Sequence, residues 1–247
     1  MRRITWEELT RSRPFKNHTS AITIGVFDGV HRGHQELIQR VTARSDTPDM
    51  GAFCGTTPRK TGLSTPIFLR SAQKVFPFLS LARLGTGAKD RPIPTVVTFV
   101  ENPRRILRPD DTTPDISTLD EKLRLFQTLG VAACILIDFS GGFCQMRGED
   151  FIQTLIKRAN MRYLAIGQDF RCGHGGHFGA PAIKTYLEQH AAVCEIVPPV
   201  LDNGQPVSSS RIRAALAAGD TRRAAQLLGR GDTWKNTLCM LPLRHYE

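Results

Sequence analysis

Nowhere in the 247 residues is there an apolar run of the roughly 18 residues that a membrane-spanning helix needs. The first residues, Met1 to Thr10, hold two arginines with no apolar stretch behind them, so they do not read as a secretory signal. The six cysteines, at 54, 134, 144, 172, 194 and 239, include no C-x-x-C pair, as expected of reduced thiols in a cytosolic protein. No internal repeat or low-complexity block is present. No zinc-finger, RNP-type or basic-helix pattern is present either, so nucleic acid is not the expected partner. These absences predict a soluble, cytoplasmic chain with no membrane partner.

What is there is ordinary in bulk and unusual in charge. A hydrophobic share of 40% and a charged share of 23% suit a globular protein. The formal net charge of +10 sets up a field that attracts anions, among them nucleotides and pyrophosphate. Short apolar runs predict buried strands at Ala21 to Val26, Thr95 to Phe99, Ala132 to Ile137, Tyr163 to Ile166 and Val193 to Val197. Helical patterns run from Gln35 to Ala43, Leu119 to Leu129, Gly148 to Ala159, Ala182 to His190, Ser209 to Ala217 and Thr221 to Leu228. This alternation predicts an α/β fold with a doubly wound parallel sheet. Ligands of such sheets bind beyond the carboxyl ends of the strands. A single domain is expected, with its core at about 21–230. The stretch from about 45 to 94 is too long for an ordinary connection and reads as an insertion. Within it, IFLRSAQKVFPFLSLARLG has amphipathic helical character, interrupted by Pro77.

The chemistry concentrates in ITIGVFDGVHRGHQELI, residues 22 to 38. A strand leads into Gly25, Phe27, Asp28 and Gly29, then His31-Arg32-Gly33-His34, then a helix. The glycines allow tight turns and close backbone approach, and the helix start offers free N–H groups to an anion. Two histidines three residues apart, at the loop and the first helical turn, can donate to one phosphate region. A second cradle follows from Ser208, Ser209 and Ser210, which read as an N-cap and first turn.

Four motifs occur in a definite order: GVFDGVHRGH at 25–34, TFVENP at 98–103, GQDFRCG at 167–173 and SSSRIR at 208–213. In this the chain closely resembles the N-terminal adenylyltransferase module of the bacterial bifunctional riboflavin kinase/FMN adenylyltransferase, or FAD synthetase, family. The resemblance runs from Ala21 to Arg230 outside the insertion. It implies a Rossmann-like nucleotidyltransferase fold with the His-x-Gly-His loop, and the transfer of AMP from ATP to FMN to give FAD and pyrophosphate. Two departures stand out. Glu101-Asn102-Pro103 replaces the family's usual His between prolines, and Pro206 occupies an often basic position. The chain ends in GDTWKNTLCMLPLRHYE rather than continuing, so no riboflavin kinase domain is expected.

On this reading His31, His34 and Arg211 are the catalytic candidates. The histidines face the triphosphate, and Arg211 meets the outgoing pyrophosphate, with Arg213 nearby. Gly25, Phe27, Asp28, Gly29, Gly33 and Ser208, Ser209 and Ser210 are assigned to ATP, with Asp28 expected to brace the loop. Asp169, Phe170, Phe139 and Phe143 are assigned to the flavin. Asp169 is also the candidate for Mg²⁺, which keeps most of its waters beside a triphosphate. A turn-capping carboxylate and ordinary aromatic packing are the plainer alternatives for Asp169 and the two phenylalanines. Cys172, His174 and His177 outline a metal cluster only superficially, and are read as bordering the substrates. Two other functions compete with this one. One is a related nucleotidyltransferase with another phosphate acceptor; the other is a catalytically silent nucleotide- or flavin-binding regulator.

Overall fold

The computed structural model describes residues 1–44, 91–139 and 141–230. Most of the expected insertion lies outside the described residues, as do Cys54, Cys239 and the stretch after Arg230. Two elements precede everything the hydrophobic pattern picked out: β1 (Arg2–Thr5) and α1 (Trp6–Ser12), whose N-cap Thr5 accepts from the Glu8 N–H. There follow β2 (Ser20–Ile24), α2 (Arg32–Arg44), β3 (Ile93–Phe99), α3 (Pro103–Leu107), α4 (Leu119–Thr128) and β4 (Ala133–Ile137). Next come α5 (Gly148–Arg158), β5 (Met161–Gly167), the two-residue strands β6 (Arg171–Cys172) and β7 (Phe178–Gly179), α6 (Ala180–Glu188) and β8 (Val193–Val197). The described chain closes with the hairpin β9 (Leu201–Asp202) and β10 (Gln205–Pro206), then α7 (Ser209–Ala217) and α8 (Thr221–Leu228).

The six longer strands form one sheet in the order β1-β4-β3-β2-β5-β8, and every pairing in it is parallel. Alternation along the strands sends residues to opposite faces. Ile22, Ile24, Val97, Leu164 and Ile166 join the core under α1, α5 and α6. Ala21, Val96, Tyr163 and Ala165 face α2 and α4 on the other side. The doubly wound expectation is met, and strand order reverses between β2 and β5. That junction is the topological switch point, where the loops leaving two neighbouring strands diverge and open a crevice.

The structure also corrects boundaries. The core begins at β1, ahead of the expected residue 21, because Ile4 alone points inward from an otherwise exposed edge strand. The strand after the insertion starts at Ile93, and α2 starts at Arg32, so His34 does fall in the first helical turn. The last two helices pack as a separate unit through Ile212, Ala224, Leu227 and Leu228, capped by Ile116 and Val207. This unit sits over the loop that follows β2.

Candidate active site

The loop leaving β2 is held rigidly from behind. Phe27 adopts a left-handed conformation (φ 54°), and its fully buried ring packs edge-on against Phe126 and under Gly25. Phe27 can therefore offer a nucleotide its backbone but not its ring. Gly29 also has positive φ, and a Cβ there would lie 2.9 Å from Ile116, so only glycine fits this close approach. Asp28 braces the loop as expected. Its carboxylate accepts from the N–H groups of Ile116 (2.8 Å) and Ser117 (3.2 Å) and pairs with Arg213. Burial pushes the Asp28 carboxyl upward, and the Arg213 guanidinium opposes that shift.

The two motif histidines stack, with ring centroids 3.6 Å apart and planes 15° from parallel. His31 acts as the cap of α2, its Nδ1 accepting from the backbone N–H of His34 at 3.3 Å. With Nδ1 engaged as an acceptor, the neutral ring carries its proton on Nε2, a donor aimed away from the helix. Burial pushes the His31 imidazole down to about 4. His34 is held well below its usual range by burial first, then by the positive charges of His31 and Lys122. Both rings are neutral near pH 7. They are uncharged hydrogen-bond donors set in a desolvated frame.

The serine-rich helix start divides its labour. The Ser208 hydroxyl caps α7, accepting from the Arg211 N–H at 3.4 Å, and the Ser209 hydroxyl donates to the Asp28 carbonyl at 3.0 Å. Ser210 is exposed. Gly33 lies close to the His31 ring and to the Val207 carbonyl, so the two candidate phosphate cradles adjoin. Arg211 bonds the β9–β10 hairpin. Its guanidinium donates to the carbonyls of Gln205 (2.9 Å) and Pro206 (2.8 Å) and approaches Asp202. Arg213 reaches the histidine loop through Asp28, and Arg230 reaches it through the Gly29 carbonyl at 2.7 Å.

Beside the loop lies an apolar cavity of about 600 Å³. Its floor is Ile24, Gly25 and Val26, and its walls include all four residues assigned to the flavin: Phe139, Phe143, Asp169 and Phe170. They arrive on loops from two different strands. Phe139 and Phe143 follow β4, and Asp169 and Phe170 follow β5. Phe139 stacks edge-on against Phe99 and Phe143, while Phe143 also meets Trp6 and Phe151. Cys172 and His174 border the same cavity. The loop they occupy depends on Gly173 (φ +80°), where a Cβ would lie 2.4 Å from the Gly148 nitrogen. Asp169 is exposed at the rim, with its carboxylate open to solvent.

Sequence reasoning missed Lys122. It is 5% exposed behind the loop, with its ammonium 3.5 Å from the Val26 carbonyl. Burial pulls its pKa down, and Asp28 and Asp115 hold it up. Its only sequence signal was a lysine on the apolar side of the α4 pattern, beside Leu123 and Phe126.

A doubly wound parallel sheet, with a His-x-Gly-His loop at its switch point and a serine-capped helix folded over that loop, defines a nucleotidyltransferase-type fold. The profile of one family, FAD synthetase, matches residues 14–57 and 81–211, and the chain belongs to that family. Its relatives include bifunctional riboflavin kinase/FMN adenylyltransferases from several bacteria. The protein of Buchnera aphidicola subsp. Acyrthosiphon pisum (strain APS) is 26% identical over 87% of this chain and 55% of its own length. Those of Bacillus subtilis (strain 168) and Escherichia coli (strain K12) are 27% and 25% identical, over 85% and 84% of this chain and 53% of each relative. The chain thus spans about half the length of the curated relatives it matches. The crystal structure of a macrolide-efflux protein from Streptococcus pneumoniae superposes with a TM-score of 0.66 at 26% identity, covering 93% of this chain and 62% of that one. Among the described residues no helix is long and apolar enough to cross a membrane.

Proposed function

We propose that the chain is an FMN adenylyltransferase, joining the AMP of ATP to FMN to give FAD and pyrophosphate in the cytoplasm. The observation that carries this reading is the cavity. Four residues assigned to a flavin from the sequence line one apolar chamber, and its floor is the start of the histidine loop. A flat, largely apolar ring system suits that chamber, with its phosphate directed toward the loop. An acceptor without such a ring system would leave the aromatic walls unfilled, which disfavours the other-acceptor reading.

In the transfer, a phosphate oxygen of FMN attacks the α-phosphorus of ATP, and the bond from that phosphorus to the bridging oxygen breaks as pyrophosphate leaves. No covalent enzyme intermediate is required, so positioning and preorganised donors supply the rate. His31 and His34 supply neutral N–H donors to the charge that develops on the α-phosphate. The first turn of α7 supplies backbone N–H groups and the Ser210 hydroxyl. Asp169 is the residue suited to Mg²⁺, directly or through water, since it presents a solvent-open carboxylate at the cavity rim. When bound, the ion neutralises triphosphate charge.

The test is to mix the pure protein with ATP, Mg²⁺ and FMN and follow FAD by chromatography. FAD formation is expected. Binding of both substrates without turnover would instead support a silent regulator.

A further inference from the structure

The segment 113–117, between α3 and α4, is held from two sides. From α3 and its cap, Arg104 Nη2 donates to the Thr113 carbonyl (2.6 Å), and the Asp115 carboxylate accepts from Asn102 Nδ2 (2.8 Å) and Arg105 Nη2 (3.2 Å). From the histidine loop and α7, Arg213 Nε donates to the Pro114 carbonyl (3.0 Å), and the Asp28 carboxylate accepts from the Ile116 and Ser117 N–H groups. The Ser117 hydroxyl accepts from the Gly29 N–H at 2.9 Å. Ile116 and Ser117 are buried. A strap bonded at five successive residues and packed in this way transmits a displacement of one end to the other. At its α3 end lies the apolar chamber. Pro103 and Leu107, four residues apart on one helical face, both line it, and Leu107 is 64% exposed, so a flat apolar ligand gains contact there. Asn102 is the joint. Its Oδ1 caps α3 by accepting from the Arg104 N–H at 3.1 Å while its Nδ2 reaches Asp115, and it stands where the family's usual histidine is replaced.

We propose that Asn102 and Asp115 are positioning residues that register the acceptor chamber against the histidine loop, so that a ligand filling the chamber tightens the loop for the nucleotide. A flavin packed on Leu107 favours one placement of α3. Asn102 and Asp115 pass that placement to the strap, and the strap passes it to Asp28 and Gly29, directly ahead of His31. By linkage, a nucleotide at the loop strengthens flavin binding by the same factor. The identity of the two ligands rests on the adenylyltransferase reading, whereas the strap rests on its hydrogen bonds.

The test is calorimetric titration of the whole chain with FMN and with Mg²⁺ and the ATP analogue that carries methylene between its α- and β-phosphorus atoms, each alone and then with the other ligand saturating. In wild type, FMN should tighten the analogue about fivefold or more. Asn102→Ser keeps an oxygen to cap α3 and withdraws the amide from Asp115, so the helix stays formed while the joint is cut. Each ligand alone should bind this variant as it binds wild type, and the coupling should fall to about twofold or less. Its kcat should fall about tenfold, the consequence of an acceptor held slightly out of register. Asn102→Asp sets two carboxylates against each other and should also uncouple the sites. Adding Asp115→Asn to it restores one donor and one acceptor in the reverse sense, and should recover coupling. Absence of coupling in wild type, or equal coupling in wild type and Asn102→Ser, would overturn the proposal and leave Asn102 as a helix cap. Coupling that is lost in Asn102→Ser, in a chain that makes no FAD, would keep the proposal and sink the adenylyltransferase reading. FAD synthesis with coupling unchanged by the variant would do the reverse, and failure of both ligands to bind wild type would sink both.

Discussion

At the scale of single residues, the role proposed for the histidine pair predicts an effect on rate, and the burial of the two rings predicts a pH response. Replacing either His31 or His34 with Ala removes a preorganised donor to developing charge and should lower kcat/KM about 100-fold or more. Near-wild-type turnover in either variant would remove that ring from the mechanism. The same burial that keeps the rings neutral makes folding sensitive to acid. His31 titrates at about 4 when folded against an ordinary 6.5, so between these values the unfolded chain binds the extra proton. Stability is therefore complete above about pH 6.5, falls as pH drops toward 4, and loses about 3 kcal/mol from this one ring. His34 is shifted in the same direction and adds to the loss. Urea unfolding at pH 7 and pH 5 measures it, and His31→Asn should flatten the difference. An unchanged slope in that variant would mean that His31 is not the group being titrated.

At the scale of elements, the loop after β2 and the helix α7 are one mechanical unit. Asp28 holds the chain before α4 through two backbone N–H groups and holds α7 through Arg213, and Ser209 returns a bond to the Asp28 carbonyl. Asp28→Asn leaves a largely buried guanidinium without its counter-charge, which should cost about 3–5 kcal/mol and depress activity by loosening the loop. Arg213→Met added to it should recover part of the melting temperature, because the uncompensated charge is then gone. If the double variant is no more stable than the single one, the pair is not the source of the loss. Much of this arrangement was legible in the sequence. The bounds of α7 and α8 follow from caps at Ser208 and Asp220 and from apolar spacing, and the buried strands stand out as short Ile, Val and Ala runs. The hairpin β9–β10 was not read, although Asn203-Gly204 is a two-residue turn signal, and both residues do take positive φ. Without that turn the bonds of Arg211 to the carbonyls of Gln205 and Pro206 could not be foreseen. Which acceptors a long guanidinium finds depends on a carbonyl-lined hairpin that contact with α7 brings into place. The edge strand β1 escaped notice because four residues with one inward side chain carry no period.

At the scale of the whole molecule, the apolar chamber is lined by Gly25 and Val26 but by neither motif histidine, so on the adenylyltransferase reading the contributions of the two substrates should be separable. Phe139 touches only Phe99 and Phe143 among aromatic neighbours, whereas Phe143 also packs on Trp6 and Phe151, which bind α1 to α5. The two phenylalanines should therefore answer truncation differently. Phe139→Ala removes a chamber wall, so KM for FMN should rise while KM for ATP and the melting temperature stay close to wild type. Phe143→Ala should raise KM for FMN and also destabilise the fold, by about 3 kcal/mol if the site cannot collapse around the lost ring. A flavin bound against these rings should lose fluorescence in wild type and keep more of it in Phe139→Ala, a readout that needs no turnover. The discriminating measurement is the ratio of the two Michaelis constants. If Phe139→Ala shifts KM for ATP as much as KM for FMN, the chamber and the cradle are one compartment and the flavin assignment of Phe139 fails, because Phe139 lines a chamber that neither motif histidine lines.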